Sequence, residues 1–174
     1  FGYKVAEQFG VPIVPPAPAL VPLMFAPEDL PMLGALAGVA LDAEVACNGQ
    51  SFREALLITH RGLSGPAILQ ISSYWRAGDA LHINLLPQES DVLAWLSQPC
   101  WRDKQLATVL AEHLPKAFAQ AWCAQFCMSK PMRQYTVPEL KKLALQLTDW
   151  QIRPSGTAGY KKAEVTRGGV DTRA

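Results

Sequence analysis

The strongest constraint on the fold lies between Val39 and Gly49. Val39, Leu41, Ala43, Val45 and Cys47 alternate with Ala40, Asp42, Glu44 and Ala46, the two-residue period of a strand with one buried face. Asn48-Gly49 follows at once. That dipeptide accepts the positive φ angles of a tight hairpin, so Phe52 to Thr59 is expected to return beside the first strand. Leu81, Ile83 and Leu85 alternate around His82 and Asn84 after the turn at Arg76-Ala77-Gly78-Asp79 and predict another strand. Two more are expected at Trp150 to Arg153 and Tyr160 to Thr166, joined through Pro154-Ser155-Gly156.

On either side of the hairpin the pattern changes. Tyr3 to Phe9 has helical spacing and stops at Gly10. Pro12, Pro15, Pro16, Pro18 and Pro22 then exclude a helix and favour an extended segment at an edge or crossing between domains. Later in the chain Leu106, Val109, Leu110 and Leu114 mark one helix, Phe118, Ala121, Trp122 and Phe126 a second, and Leu140, Leu143, Ala144 and Leu147 a third. Thr136 with Glu139 three residues on forms a capping box, and Pro115 and Pro138 suit first turns. These periods describe an α+β chain in which a small all-helical module, about Pro87 to Thr148, interrupts a mostly β module.

Composition narrows the function classes. With 16 Lys and Arg against 15 Asp and Glu among 174 residues, bulk charge does not indicate nucleic acid. No apolar run approaches the roughly 20 residues that cross a bilayer, and no signal peptide is evident, so no membrane partner and a cytoplasmic location are expected. Cys47, Cys100, Cys123 and Cys127 sit in apolar patterns without thiol-pair or zinc spacing and are expected to be buried free thiols. His60, His82 and His113 lie far apart, so no metal site is expected. His82 should face solvent or a neighbouring module, and His113 should sit near a helix end, where the dipole favours a cation. The Trp and Tyr residues scatter and read as core rather than as a base-stacking platform.

Two segments could carry chemistry. His60 to Pro66 reads as a strand-to-helix turn with Ser64 as a helix cap, and Gly62 and Gly65 either make the turn or let backbone approach a ligand. A serine-hydrolase elbow would need glycine two residues after Ser64, where Pro66 stands, and an acid that the sequence does not identify. The second segment, Thr166 to Val170, ends a strand in Gly168-Gly169, which either brings bare backbone against a flat ring or forms a strand exit.

The words Gly2-Tyr3-Lys4-Val5-Ala6, Leu20-Val21-Pro22-Leu23, Thr59 to Trp75, Leu85-Leu86-Pro87 and Thr148 to Thr172 resemble, in order, the insert region of the BaiN/YhiN-like flavoproteins. The resemblance covers nearly the whole chain, weakest over Trp101 to Arg133. It implies a translation-factor-like β-barrel with an inserted small helical bundle, lodged in a split FAD-binding domain. The division that follows is 1–10 as the fringe of the FAD domain, 11–86 as the first barrel part, 87–148 as the helical insert, 149–166 as the second barrel part and 167–174 as the return. The chain then looks like a piece of a larger enzyme whose dinucleotide-binding glycines lie elsewhere. By the same resemblance the parent carries FAD, uses NAD(P)H, and passes hydride to an acceptor, in some members an activated C=C bond. Gly168, Gly169 and Val170 are assigned to the flavin's neighbourhood in the parent. His60 and Ser64 are assigned to the active-site side, as proton donor or carbonyl anchor. The isolated chain is expected to be inactive and to bind no cofactor, its partner being its own FAD-binding domain. The alternatives are an RNA- or protein-binding barrel without enzymatic activity, and a hydrolase.

Overall fold

A computed structural model describes residues 1–29, 31–127 and 129–173 of the chain. Strand β3 (Ala40–Cys47) and strand β4 (Gln50–Thr59) are the expected hairpin, paired from Cys47 with Gln50 through Ala40 with Leu57. Asn48 and Gly49 turn the chain with φ of 50° and 76°. Leu41, Ala43, Val45 and Cys47 are buried as the alternation requires. Around this pair are β2 (Leu23–Met24), β5 (Gly62–Ser64), β6 (Leu81–Asn84), β7 (Trp150–Ile152) and β8 (Gly156–Thr157). They form one antiparallel sheet in the order β7-β6-β3-β4-β5-β2-β8.

That order forces the sheet to curl. β7 and β8 are its two edges, yet only residues 153–155 separate them in the chain. Flat, seven strands would set the edges about 29 Å apart, whereas the link from Ile152 to Gly156 can reach no more than about 14 Å. The sheet therefore wraps into a barrel. Helix α3 (Pro66–Ser72) lays Ala67, Ile68 and Ile71 on β3 and β4, where Leu56, Ile58, Leu81 and Ile83 complete the filling.

The helical module holds α4 (Val92–Leu96), α5 (Leu106–Leu110), α6 (Lys116–Phe126) and α7 (Val137–Thr148). The capping box is present: Thr136 Oγ1 accepts from the Glu139 amide, and the Glu139 carboxylate accepts from the Thr136 amide. Leu140, Leu143, Ala144 and Leu147 are buried where α7 packs on α4, β6 and β7, and Phe118 and Trp122 are buried in α6, whereas Ala121 of the predicted stripe is half-buried and Phe126 exposed. Module and barrel share buried side chains. Phe118 and Phe126 pack edge-on to Trp150 of β7 at 6.1 and 6.2 Å, and the Leu85 amide donates to the Leu147 carbonyl.

A second, two-stranded ribbon joins β1 (Ile13–Ala19) to β9 (Val165–Val170), with α1 (Gly2–Gln8) beside it. A remaining short helix, α2 (Pro31–Ala35), follows β2. Several expectations need correction. The last strand begins at Val165 rather than Tyr160, because the chain turns after Gly159, whose φ is 72°. It also runs through Gly168-Gly169 instead of ending there. Helix α4 carries a signal the periodicity missed, Asp91, whose carboxylate accepts from the Ala94 amide. Cys100 is exposed and Cys127 half-buried, so only Cys47 and Cys123 are the buried thiols expected.

Candidate functional site

The ribbon explains both glycines of the C-terminal motif. Val14 pairs with Gly169 and Ala17 with Arg167, with an irregularity between them where Pro15 and Pro16 stand, as expected of residues that cannot donate to a ladder. Gly168 has φ 80°, and a Cβ there would lie 2.5 Å from the Pro15 carbonyl oxygen. Gly169 has φ 112°, which side-chain-bearing residues rarely adopt, while a Cβ there would only touch the Tyr3 ring at an ordinary 3.5 Å. The space beside the Gly168 Cα is thus filled by the chain itself, and Gly169 faces Tyr3. Val170 stays exposed, as do Phe1, Tyr3, Phe9, Val14 and Val165, an apolar surface gathered on the ribbon and α1. Arg167 ties the ribbon to the end of α3 by donating to the Ser73 and Trp75 carbonyls at 3.1 and 3.3 Å.

His60 and Ser64 lie at the two ends of β5. His60 is exposed in the β4–β5 turn, where Thr59 Oγ1 donates to the Gly62 carbonyl and accepts from the Arg61 amide. Ser64 is half-buried in the strand, opposite Leu57. It is not the helix cap: Gly65, with φ 89°, holds that position and Pro66 opens α3. Gly62 and Gly65 are dictated by neighbouring backbone, since their Cβ atoms would fall 2.0 Å from the Leu23 oxygen and 2.7 Å from the Ala55 oxygen. Among the described residues no hydrogen bond links Ser64 to His60 or to a carboxylate, so the hydrolase geometry is not present. Strand pairing sets Thr59 and Gly62 level with Met24, with His60 just beyond in the turn, whereas Gly168 lies along the far part of β1; no pairing or hydrogen bond among the described residues joins His60 to Gly168.

The other histidines have carboxylate partners. His82, exposed as expected, meets Asp149 at 2.7 Å, and Asp149 is held below the ordinary carboxylate range by the Gln151 amide and, after the opposing effect of burial, by His82. His113 meets Glu89 at 2.7 Å, a specific partner in addition to any helix-end field. No group of three metal-ligating side chains occurs among the described residues. Nor is any helix among them long and apolar enough to cross a membrane.

Sequence reasoning passed over one edge of the helical module. Residues 101–105 and 129–135 lie side by side, the Met132 and Arg133 amides donating to the Lys104 and Arg102 carbonyls at 2.9 Å. The Lys104 ammonium stands 4.6 Å from the Trp101 ring and that of Lys130 4.5 Å from the Tyr135 ring. Both aromatics are half-buried, with one side in the core and one available to a cation. Burial pushes the Tyr135 hydroxyl up from 10 to about 12. The signal was available in the sequence: from 113 to 148 five Lys and Arg occur with a single acid, Glu139.

An antiparallel barrel with a helical module packed on its β7 edge, and a separate ribbon that pairs β1 with β9, defines a barrel-and-helix class of domain. The chain belongs to the family described as HI0933-like protein barrel and H2TH domain, which it matches over residues 17–165. It is 46% identical over 178 aligned positions to a protein of Escherichia coli (strain K12) named ribosomal RNA dihydrouridine synthase, and 41% identical over 179 to one of the same name from Haemophilus influenzae. Each alignment covers 99% of this chain and 44% of the relative, so the chain spans less than half the length of the curated relatives it matches.

Proposed function

We propose that this chain is the barrel-and-helix insert of an FAD-dependent oxidoreductase of the BaiN/YhiN-like type, and that the complete protein reduces the C5=C6 bond of a uracil in ribosomal RNA. The observation that carries the reading is end-to-end similarity to two relatives of that name, of which it is 44%. The C5=C6 bond is conjugated with the C4 carbonyl, which makes it an activated double bond of the kind the flavoprotein resemblance implies. Reduction adds hydride at C6 and a proton at C5, while NAD(P)H is oxidised. In the complete protein FAD would take the hydride from NAD(P)H and, once reduced, would be the group that passes it to C6.

In this reading the chain alone is not expected to bind the dinucleotide; beside Gly168 stands the Val14–Pro15 backbone, and Gly169 faces the Tyr3 ring. Any contribution to FAD then comes from the open side of the Gly168 backbone and from exposed Val170. The apolar surface of α1 and the ribbon is covered, in this reading, by the FAD-binding domain of the same protein, in the cytoplasm. His60 is assigned to proton delivery and Ser64 to anchoring a carbonyl.

The complete protein should purify yellow and, with NAD(P)H, convert uridine to dihydrouridine in unmodified ribosomal RNA, read as the added pair of hydrogens by mass spectrometry. His60→Ala should slow reoxidation of the reduced flavin by RNA on the order of a hundredfold, with reduction by NAD(P)H little changed. A colourless protein, or RNA left unreduced, would sink the reading.

A further inference from the structure

We propose that the edge formed by residues 101–105 and 129–142 is where this chain receives the RNA backbone. Hydrogen bonds and chain continuity connect it from Arg102 through Arg133 and Lys130 to the first turns of α7, where Lys141 and Lys142 are exposed. Charge is segregated here: residues 87–148 hold seven Lys and Arg against five acids, and the rest of the chain nine against ten. Three cations of the edge have carboxylate partners, Lys104 with Glu112, Lys130 with Glu139 and Arg133 with Asp103. Arg102, Lys141 and Lys142 have no ion pair among the described residues and are left for an external anion.

The paired lysines are also suited to phosphate. Each ammonium is held between a carboxylate and a ring, so little side-chain freedom remains to be lost when a phosphate oxygen arrives. The platform beneath Lys104 is fixed in turn, because Trp101 Nε1 donates to the Trp95 carbonyl at 2.9 Å and the Lys104 amide to the Trp101 carbonyl at 2.8 Å. Spaced cations on a pinned surface bind a polyanion by releasing its counterions, without reading base sequence. The identity of the polyanion as RNA rests on the functional reading above; the positive edge itself does not.

The test is fluorescence anisotropy of labelled polyuridylate with the 174-residue chain over a range of salt. Arg102→Gln/Lys141→Gln/Lys142→Gln should weaken binding at least about tenfold at low salt and reduce the slope of log affinity against log salt by about two, roughly 0.7 per cation on a single strand. Lys161→Gln/Lys162→Gln, in the exposed turn before β9, should leave both unchanged. Wild-type-like binding by the triple variant, no binding by the wild type, or equally effective competition by polyglutamate would overturn the proposal. The same triple variant in the complete protein should raise KM for ribosomal RNA with kcat nearly unchanged. Unchanged KM with dihydrouridine still formed removes the edge and leaves the functional reading standing. A complete wild-type protein that forms no dihydrouridine removes that reading, while the anisotropy still decides the edge.

Discussion

The barrel sheet and the β1–β9 ribbon are both antiparallel, yet only one has an inside. In the sheet every second residue of β3 is buried, and β4, β5 and β6 add fully buried side chains. In the ribbon only Ala19 and Gly169 are buried, and Val14, Val165 and Val170 lie open. The ribbon is held by its ladder, by Arg167 and by Tyr3, rather than by a core of its own. Two ladders with similar hydrogen bonding should therefore differ in how independently they open.

The largest contrast is expected between two glycines. Gly62→Ala places a Cβ 2.0 Å from a backbone oxygen inside the barrel wall and should cost about 3 kcal/mol or more, seen as loss of the cooperative urea transition. Gly168→Ala also collides with backbone, at 2.5 Å, but should open only the ribbon. Amide hydrogen exchange would accelerate in β1 and β9 while the urea midpoint moves little. Equal global destabilisation by the two would erase the distinction between regions.

A smaller effect should come from the residue that anchors the chain between them. Ser72 is the buried polar side chain of the described core, accepting from the Val21 amide at 3.0 Å and donating to the Leu69 carbonyl at 2.7 Å. Ser72→Ala leaves the Val21 amide without that partner and should cost about 1–2 kcal/mol. A change in the urea midpoint with unaltered exchange in β1 would show that the anchor serves the barrel alone.

The smallest effect is one of pH and belongs to the helical module. Hydrogen bonds from Lys130 and Thr136 lower the Glu139 carboxyl from 4.5 to about 2. A carboxyl with a folded value below its unfolded one stabilises the fold above the unfolded value and loses that contribution on acidification. The N-terminal turn of α7 should thus loosen slightly as pH falls from about 4.5 toward 2, read by amide chemical shifts at 137–140. Glu139→Gln should remove that dependence, and the β3–β4 hairpin should show none of it.

What the sequence made legible was local. Asn48-Gly49 and the Thr136–Glu139 box specify their geometry within four residues, and both occur as expected. β5 and β8 were not legible, because three- and two-residue strands exist only through partners far away in the chain. The alternation after Tyr160 resembled a strand, but Gly159 turns the chain before pairing begins. Ser64 looked like a helix cap because the strand between it and Thr59 depends on β2, which no local pattern announces. The positive edge escaped notice since total charge balances, and only the placement of 101–105 against 129–135 gathers the cations.

The ribbon also bears on what the proposed insertion would ask of a host domain. Ile13 pairs with Val170, and the Asp171 amide donates to the Pro12 carbonyl at 2.9 Å, so the outgoing and returning strands cross one point about a strand spacing apart. On the proposed insertion, the recipient domain would need to open a surface turn by only that width to accept everything between. Because the guest's own ladder keeps its two ends together, the recipient is spared the entropy of closing a long loop.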